Sequence, residues 1–203
     1  MAGSESATLA QRRAIAQRLI ASLGELRLPV APRVPRERFI LFAPPLVRAI
    51  LDGRKTVTRR LITPQPVDGP TTRCPLGLPG DRLWVREKWG HREQFFDRHA
   101  PAAGPFIYAA DGAPAGAKFF PWKTSLHMPR VASRLLLEIT HVRAERVTHI
   151  STEDAAAEGC PVEQRHDPVA WFQGVWDQYN AGAACSWQHD PWVWRISFRR
   201  ITR

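Results

Sequence analysis

The octapeptide Gly53-Arg54-Lys55-Thr56-Val57-Thr58-Arg59-Arg60 places one amine between two hydroxyls inside a cluster of arginines. A lysine so placed can activate a hydroxyl as a nucleophile, while Arg54, Arg59 and Arg60 can hold a phosphate. An ordinary lysine, with a pKa of about 10.4, is a poor base at neutral pH, so this chemistry needs a dry site or nearby positive charge. The three arginines supply the charge. The bland alternative for Lys55 is a solvated strand lysine. On a regular strand Lys55 and Thr58 would point to opposite faces, so the chain must bend after Gly53 for the two to meet.

Two carboxylates compete to serve the lysine. Glu158 closes the segment that begins at Ser151, where Ser151 reads as a helix N-cap and Gly159 as a C-terminal stop. Its bland role is an exposed helix carboxylate. Glu87 lies between Trp84 and Trp89, where burial would raise its pKa and suit it to proton transfer. Alternatively it pairs with Arg86 or Lys88 across a sheet.

Of eight tryptophans, Trp171, Trp176, Trp192 and Trp194 fit core positions, whereas Trp89 and Trp122 border long loops and are candidates for stacking a base. His127-Met128-Pro129-Arg130, with Ser133 and Arg134, reads as a turn with either a structural arginine or a phosphate or base-edge contact. His141 and His149 have no partner at ligand spacing. Cys74, Cys160 and Cys185 are far apart and lack the paired spacing of zinc sites, so neither a metal nor another cofactor is expected.

These side chains need a scaffold, and the hydrophobic pattern outlines one. Residues 7–24 carry an amphipathic helical pattern ending at Gly24, and the proline-rich stretch 28–36 cannot continue it. The chain therefore divides into an N-terminal helical extension and linker, 1–36, and a domain, 37–203. Within the domain, strands are expected at 39–42, from the lysine motif onward, and at 83–85, 106–109, 134–147 and 192–198. Helices are expected at 44–52, 152–158 and 168–180, with long loops at 63–80 and 90–121. Uneven strands with few helices favour a small mixed barrel over a doubly wound sheet.

Twenty-nine basic residues against 19 acidic ones give a net charge of +10, and 25 of the basic residues are arginine. Arginine presents a planar fork to phosphate and stacks on rings, which suits contact with nucleotides or RNA, although a GC-rich genome produces the same bias. No run of about 18 apolar residues suits a membrane helix, and the N-terminus lacks a signal-peptide pattern. A cytoplasmic protein without a membrane partner is expected.

The order of motifs carries a family resemblance. A helix followed by Gly53-Arg-Lys-Thr-x-Thr, then Pro79-Gly80-Asp81-x-Leu-Trp-Val-x-Glu87, a long strand, and Thr152-Glu153-Asp154-Ala-x-x-Glu158-Gly159 resembles the ASCH family of the PUA-like superfamily. His127-Met128-Pro129-Arg130 and the terminal Pro191-Trp192-Val193-Trp194 look most like its larger phage- and prophage-encoded members. The match runs from about Phe39 to Arg200.

The resemblance implies an α+β fold, a PUA-like mixed β-barrel with peripheral helices, and recognition of a nucleobase or nucleoside. Small ASCH enzymes that remove acyl groups from the exocyclic amine of cytidine use a lysine, a threonine and a glutamate in this order. These fall on Lys55, Thr58 and Glu158, which implies a metal-independent amidohydrolase without a cofactor. Substrate-binding roles are expected for Arg54, Arg59, Glu87, Trp89, Trp122, Arg130 and Ser133. The alternatives are a non-catalytic RNA or modified-base module, or a phage accessory or morphogenesis protein acting in the host cytoplasm. The oligomeric state is left open.

Overall fold

The computed structural model describes residues 33–69, 73–91, 106–112, 122–180, 182 and 185–202. By contacts the chain forms two compact units, Met1–Val34 and Pro35–Arg203. The helix expected at 7–24 lies outside the described residues.

The second unit is built on a five-stranded mixed sheet in the order β1-β3-β6-β7-β2. Its strands are β1 (Glu37–Leu41), β2 (Val57–Leu61), β3 (Arg82–Arg86), β6 (Leu136–Arg146) and β7 (Trp192–Ile201). β1 runs parallel to β3, and the other neighbours are antiparallel. A separate pair, β4 (Trp89–His91) with β5 (Phe106–Tyr108), falls partly within a stretch expected to be a loop. Among the described residues β1 and β2 do not pair. The α+β class holds, but the sheet stays open where a closed barrel was expected. A side chain stands where a ladder would have closed it: Arg60 on β2 donates from Nη2 to the carbonyl of Leu41, the last residue of β1, at 2.7 Å.

Among the described residues three α-helices pack around this sheet. α1 (Pro44–Leu51) begins with prolines, whose missing N–H groups would be unbonded in a first turn anyway, and buries Val47, Ala49 and Ile50. α2 (Thr152–Ala157) is capped by Ser151, which accepts from the Asp154 amide at 3.2 Å. α3 (Pro168–Tyr179) is capped by Asp167 and buries Phe172 and Trp176, four residues apart on one face.

The main core joins Ile40, Leu83, Val85, Leu137, Ile139, Ile196 and Phe198 of the sheet to Val47 and Ile50 of α1. A second cluster lies beneath α2 and α3, where Val147, Ile150 and Val193 meet Ala155, Phe172 and Trp176. Trp89, Met128 and Ala132 form a third, smaller cluster. The Pro79-Gly80-Asp81 motif serves the fold: buried Asp81 accepts from the amides of Arg36 and Leu78 at 2.8 and 3.0 Å, fixing the entry of both β1 and β3. Among the described residues no helix is long and apolar enough to cross a membrane.

Candidate active site

The chain leaves α1 through Gly53, whose φ of 75° ends the helix, and the amides of Arg54 and Lys55 both turn back to the Ala49 carbonyl at 2.8 and 3.0 Å. Lys55 thus precedes β2 and forms an isolated antiparallel bridge with Glu158. Strand alternation does not apply across this break, and Lys55 and Thr58 line the same cavity. Thr56 is exposed and donates its amide to the Ala157 carbonyl at 2.9 Å.

That cavity has a volume of about 580 Å³, within the range of small-molecule sites. Apolar lining comes from Phe42, Leu46, Phe172, Val175 and Trp176; Lys55, Thr58, Arg59, Arg60 and Glu158 provide its polar base. Lys55 is 2% exposed, Thr58 3% and Glu158 4%, so this chemistry lies largely out of water.

Lys55 Nζ has three acceptors in reach: Glu158 Oε2 at 2.6 Å, the Glu158 carbonyl at 2.8 Å and the Val57 carbonyl at 2.9 Å. Burial pulls its pKa below the usual lysine value. Attraction to Glu158 and the hydrogen bond that Lys55 donates to it oppose that fall, and the charges of Arg60 and Arg59 add to it. Three acceptors match the three hydrogens of an ammonium. Burial, working against Glu158, leaves a proton on this amine held less tightly than on a lysine in water.

Arg59 secures the other side of Glu158. Its side chain is fully buried and donates from Nη1 to Glu158 Oε1 at 3.2 Å, from Nε to Glu145 Oε1 at 2.8 Å and from Nη2 to Asp154 Oδ2 at 2.8 Å. Arg195 clamps Asp154 through two further bonds of 2.6 Å. The hydrogen bond from Arg195, followed by that from Arg59, holds the Asp154 pKa down to about 2 against the opposing effect of burial. Arg60 stacks over Phe42 at 4.9 Å. Burial draws its pKa down and Glu158 pushes it up, but a guanidinium stays charged.

Gly159 lets Glu158 come so close. Its φ is 106°, and a Cβ there would lie 2.9 Å from Ala49 Cβ and 3.2 Å from Lys55 Cβ. No L side chain fits this position without displacing the lysine or α1.

The other expected ligand contacts lie elsewhere. Arg54 donates to the carbonyls of Gly159 and Cys160 at 2.9 and 3.5 Å and to Asp52 at 3.1 Å, lining a separate depression. Glu87 is buried beside Arg134, which contacts both its oxygens at 2.9 and 3.1 Å; burial nevertheless raises its pKa. Trp89 is packed against Phe106 and Met128. Arg130 pairs with Glu37 at 2.9 Å, and Ser133 is buried with its hydroxyl bonded to the Leu135 carbonyl at 3.2 Å. Trp122 is half-buried, and none of these six lines the cavity. Among the described residues no group of three or more His, Cys, Asp or Glu could hold a metal ion.

Sequence reasoning did not pick out Phe42, Lys88, Thr124, Ser125 and Phe172 as cavity residues. Only Phe172 carried a signal, its spacing from Trp176 on an apolar helix face.

No protein-family model and no curated protein matches the chain. Among solved structures, an ASCH domain from Lactobacillus crispatus JV V101 is similar at 16% identity, covering 90% of both chains with a TM-score of 0.45. Protein EF3133 from Enterococcus faecalis V583, family-model DUF984, is similar at 12% identity, covering 93% of this chain and 91% of that one, with a TM-score of 0.41. The structural neighbours thus include a member of the family whose motifs this sequence resembles.

Proposed function

We propose that the cavity binds a nucleobase and that Lys55, Thr58 and Glu158 hydrolyse an amide on the exocyclic amine of a modified cytidine. The observation that carries this reading is a buried lysine with a lowered pKa, 2.6 Å from a carboxylate, lining one cavity with a buried threonine. Aromatic walls suit a flat base, and the polar base of the cavity suits its edge.

In this scheme Lys55 passes a proton to Glu158 Oε2, and the freed amine takes the Thr58 hydroxyl proton as Oγ1 attacks the amide carbonyl. Arg60 is the cation available to the developing oxyanion. Collapse breaks the C–N bond, the cytidine nitrogen leaves with a proton from Lys55, and the acyl group remains as a Thr58 ester. Lys55 then deprotonates a water that cleaves the ester, releasing the carboxylic acid and restoring the threonine. The decisive experiment is turnover of a panel of N4-acylated cytidines and their monophosphates, compared between the native protein and Lys55→Met. Absence of turnover across the panel would overturn the scheme.

One observation favours a second reading, a binding module without catalysis. All three hydrogens of the Lys55 ammonium are already committed, which equally describes a structural ion pair that shapes a base-recognition site. Binding of cytidine derivatives without turnover would select it.

A further inference from the structure

The exposed rim of the cavity carries a second polar group, distinct from the Lys55–Glu158 pair. An antiparallel bridge joins Trp89 to Lys123, with mutual amide-to-carbonyl bonds of 3.3 and 2.8 Å. Lys88 and Thr124 flank this bridge on its two chain segments, and Ser125 follows Thr124. All three line the cavity. Lys88 is exposed and makes no ion pair among the described residues.

The charges around the cavity are unbalanced. Its lining holds Lys55, Arg59, Arg60 and Lys88 against a single carboxylate, Glu158. Glu158 is shared by Lys55 and Arg59, and Arg59 is further satisfied by Glu145 and Asp154. Arg60 and Lys88 have no carboxylate within ion-pair distance among the described residues, and Arg60 is bonded to a neutral carbonyl. A neutral nucleoside would leave both cations uncompensated, whereas a phosphate-bearing ligand supplies the missing charge. A lysine ammonium and two hydroxyls lining one cavity are chemically suitable receptors for phosphate oxygens.

We infer that Lys88, Thr124 and Ser125 form a phosphate subsite, and that the ligand of this cavity is a nucleotide rather than a free nucleoside. The inference rests on the reading of the cavity as a nucleobase site. The phosphate can belong to a mononucleotide or to a nucleotide within a single strand, and the recognition chemistry is the same.

The test is calorimetric titration of the native protein, Lys88→Ala and Lys88→Arg with cytidine, cytidine monophosphate, inorganic phosphate and a cytidine trinucleotide at one salt concentration. The native protein is expected to bind the monophosphate at least about tenfold more tightly than cytidine, as a charge-assisted contact provides. Lys88→Ala should bring that ratio close to one, and Lys88→Arg should restore most of it. A trinucleotide bound more tightly than the monophosphate, with the same dependence on Lys88, assigns the phosphate to a strand; equal binding assigns it to a mononucleotide, and both support the subsite. Cytidine bound as well as its monophosphate, or a ratio unmoved by Lys88→Ala, overturns the subsite while leaving the nucleobase reading intact. Phosphate and the monophosphate bound through Lys88, with cytidine not bound, supports the subsite and overturns the nucleobase reading. No binding of any probe overturns both.

Discussion

Lys55 reaches Glu158 twice, at carboxylate Oε2 and at the backbone carbonyl of the same residue, at 2.6 and 2.8 Å. The main-chain contact does not depend on the acid, so the amine keeps its place when the carboxylate is altered. Glu158→Gln should therefore keep the amine in place but lose the proton acceptor, lowering turnover of acylated cytidine by about 100-fold, and it should lower the melting midpoint because buried Lys55 and Arg59 lose a carboxylate. Turnover within threefold of native, measured on the folded fraction, would remove Glu158 from the chemistry.

Lys55→Met and Thr58→Ala are expected to lower turnover by at least about 100-fold each. Methionine keeps the apolar stem of the lysine, and Glu158 keeps its bond from Arg59, so Lys55→Met leaves no unpaired buried charge. The double variant should be little worse than either single one, since the two groups act as a unit. Multiplicative losses would show that they act separately.

The lowered pKa of Lys55 gives two pH signatures. Between its folded value and 10.5 the unfolded chain binds more protons than the folded one, so stability rises with pH across that window. Activity that needs the neutral amine should rise along a limb centred below 10.5. Unfolding midpoints and kcat/KM measured against pH, for the native protein and Lys55→Met, check both. A stability rise across that window in native and Lys55→Met alike would assign it to another group.

Asp154 works in the opposite direction. Its folded pKa of about 2 lies below the ordinary 3.8, so its contribution is fully present above pH 3.8 and is lost as pH falls through 2. After allowance for solvent screening it is worth roughly 1–2 kcal/mol. Asp154→Asn should lower stability by that amount at neutral pH and flatten the acid limb in denaturant titrations. An unchanged acid limb would locate the acid sensitivity in other carboxylates.

Gly159→Ala should destabilise the protein by about 2–4 kcal/mol, since it combines an unfavourable φ with overpacking against α1. It should also reduce turnover by more than the unfolded fraction explains, because the added methyl presses on Lys55. Full activity of the folded variant would show that the fit around the lysine is loose.

The parts of this site legible in the sequence were local. Lys55, Thr58, Glu158, Ser151 and Gly159 sit in short strings whose residue types match the turns, caps and strand starts that position them. Phe42, Phe172 and Lys88 were not, because they reach the cavity from three separate segments; the helix-face spacing of Phe172 marks it as buried, and nothing local marks any of the three as cavity lining. Trp89 was expected at a loop and is instead buried in a short two-stranded pair, β4 with β5, whose strands lie far apart in the chain. The arginine excess was ambiguous in sequence between polyanion contact and genomic bias. In the structure Arg59, Arg134, Arg143, Arg195 and Arg199 are bound to carboxylates of the protein itself. The closure of the sheet was equally hidden, because it turns on whether two strands far apart in the chain share a ladder.

The unpaired edges of β1 and β2 bear on how the cavity could adapt to its guest. Leu41 and Phe42 from one edge and Thr58 to Leu61 from the other both contribute to its lining, and Arg60 ties them, bonded to the Leu41 carbonyl and stacked over Phe42. In a closed barrel, widening this wall would break a row of ladder bonds at once. Here, among the described residues, no ladder bond joins the two edges, so parting them breaks the side-chain contacts of Arg60 and Lys55 with Leu41 and Phe42 rather than a row of backbone bonds. An expandable cavity wall is thus a property of the strand order itself.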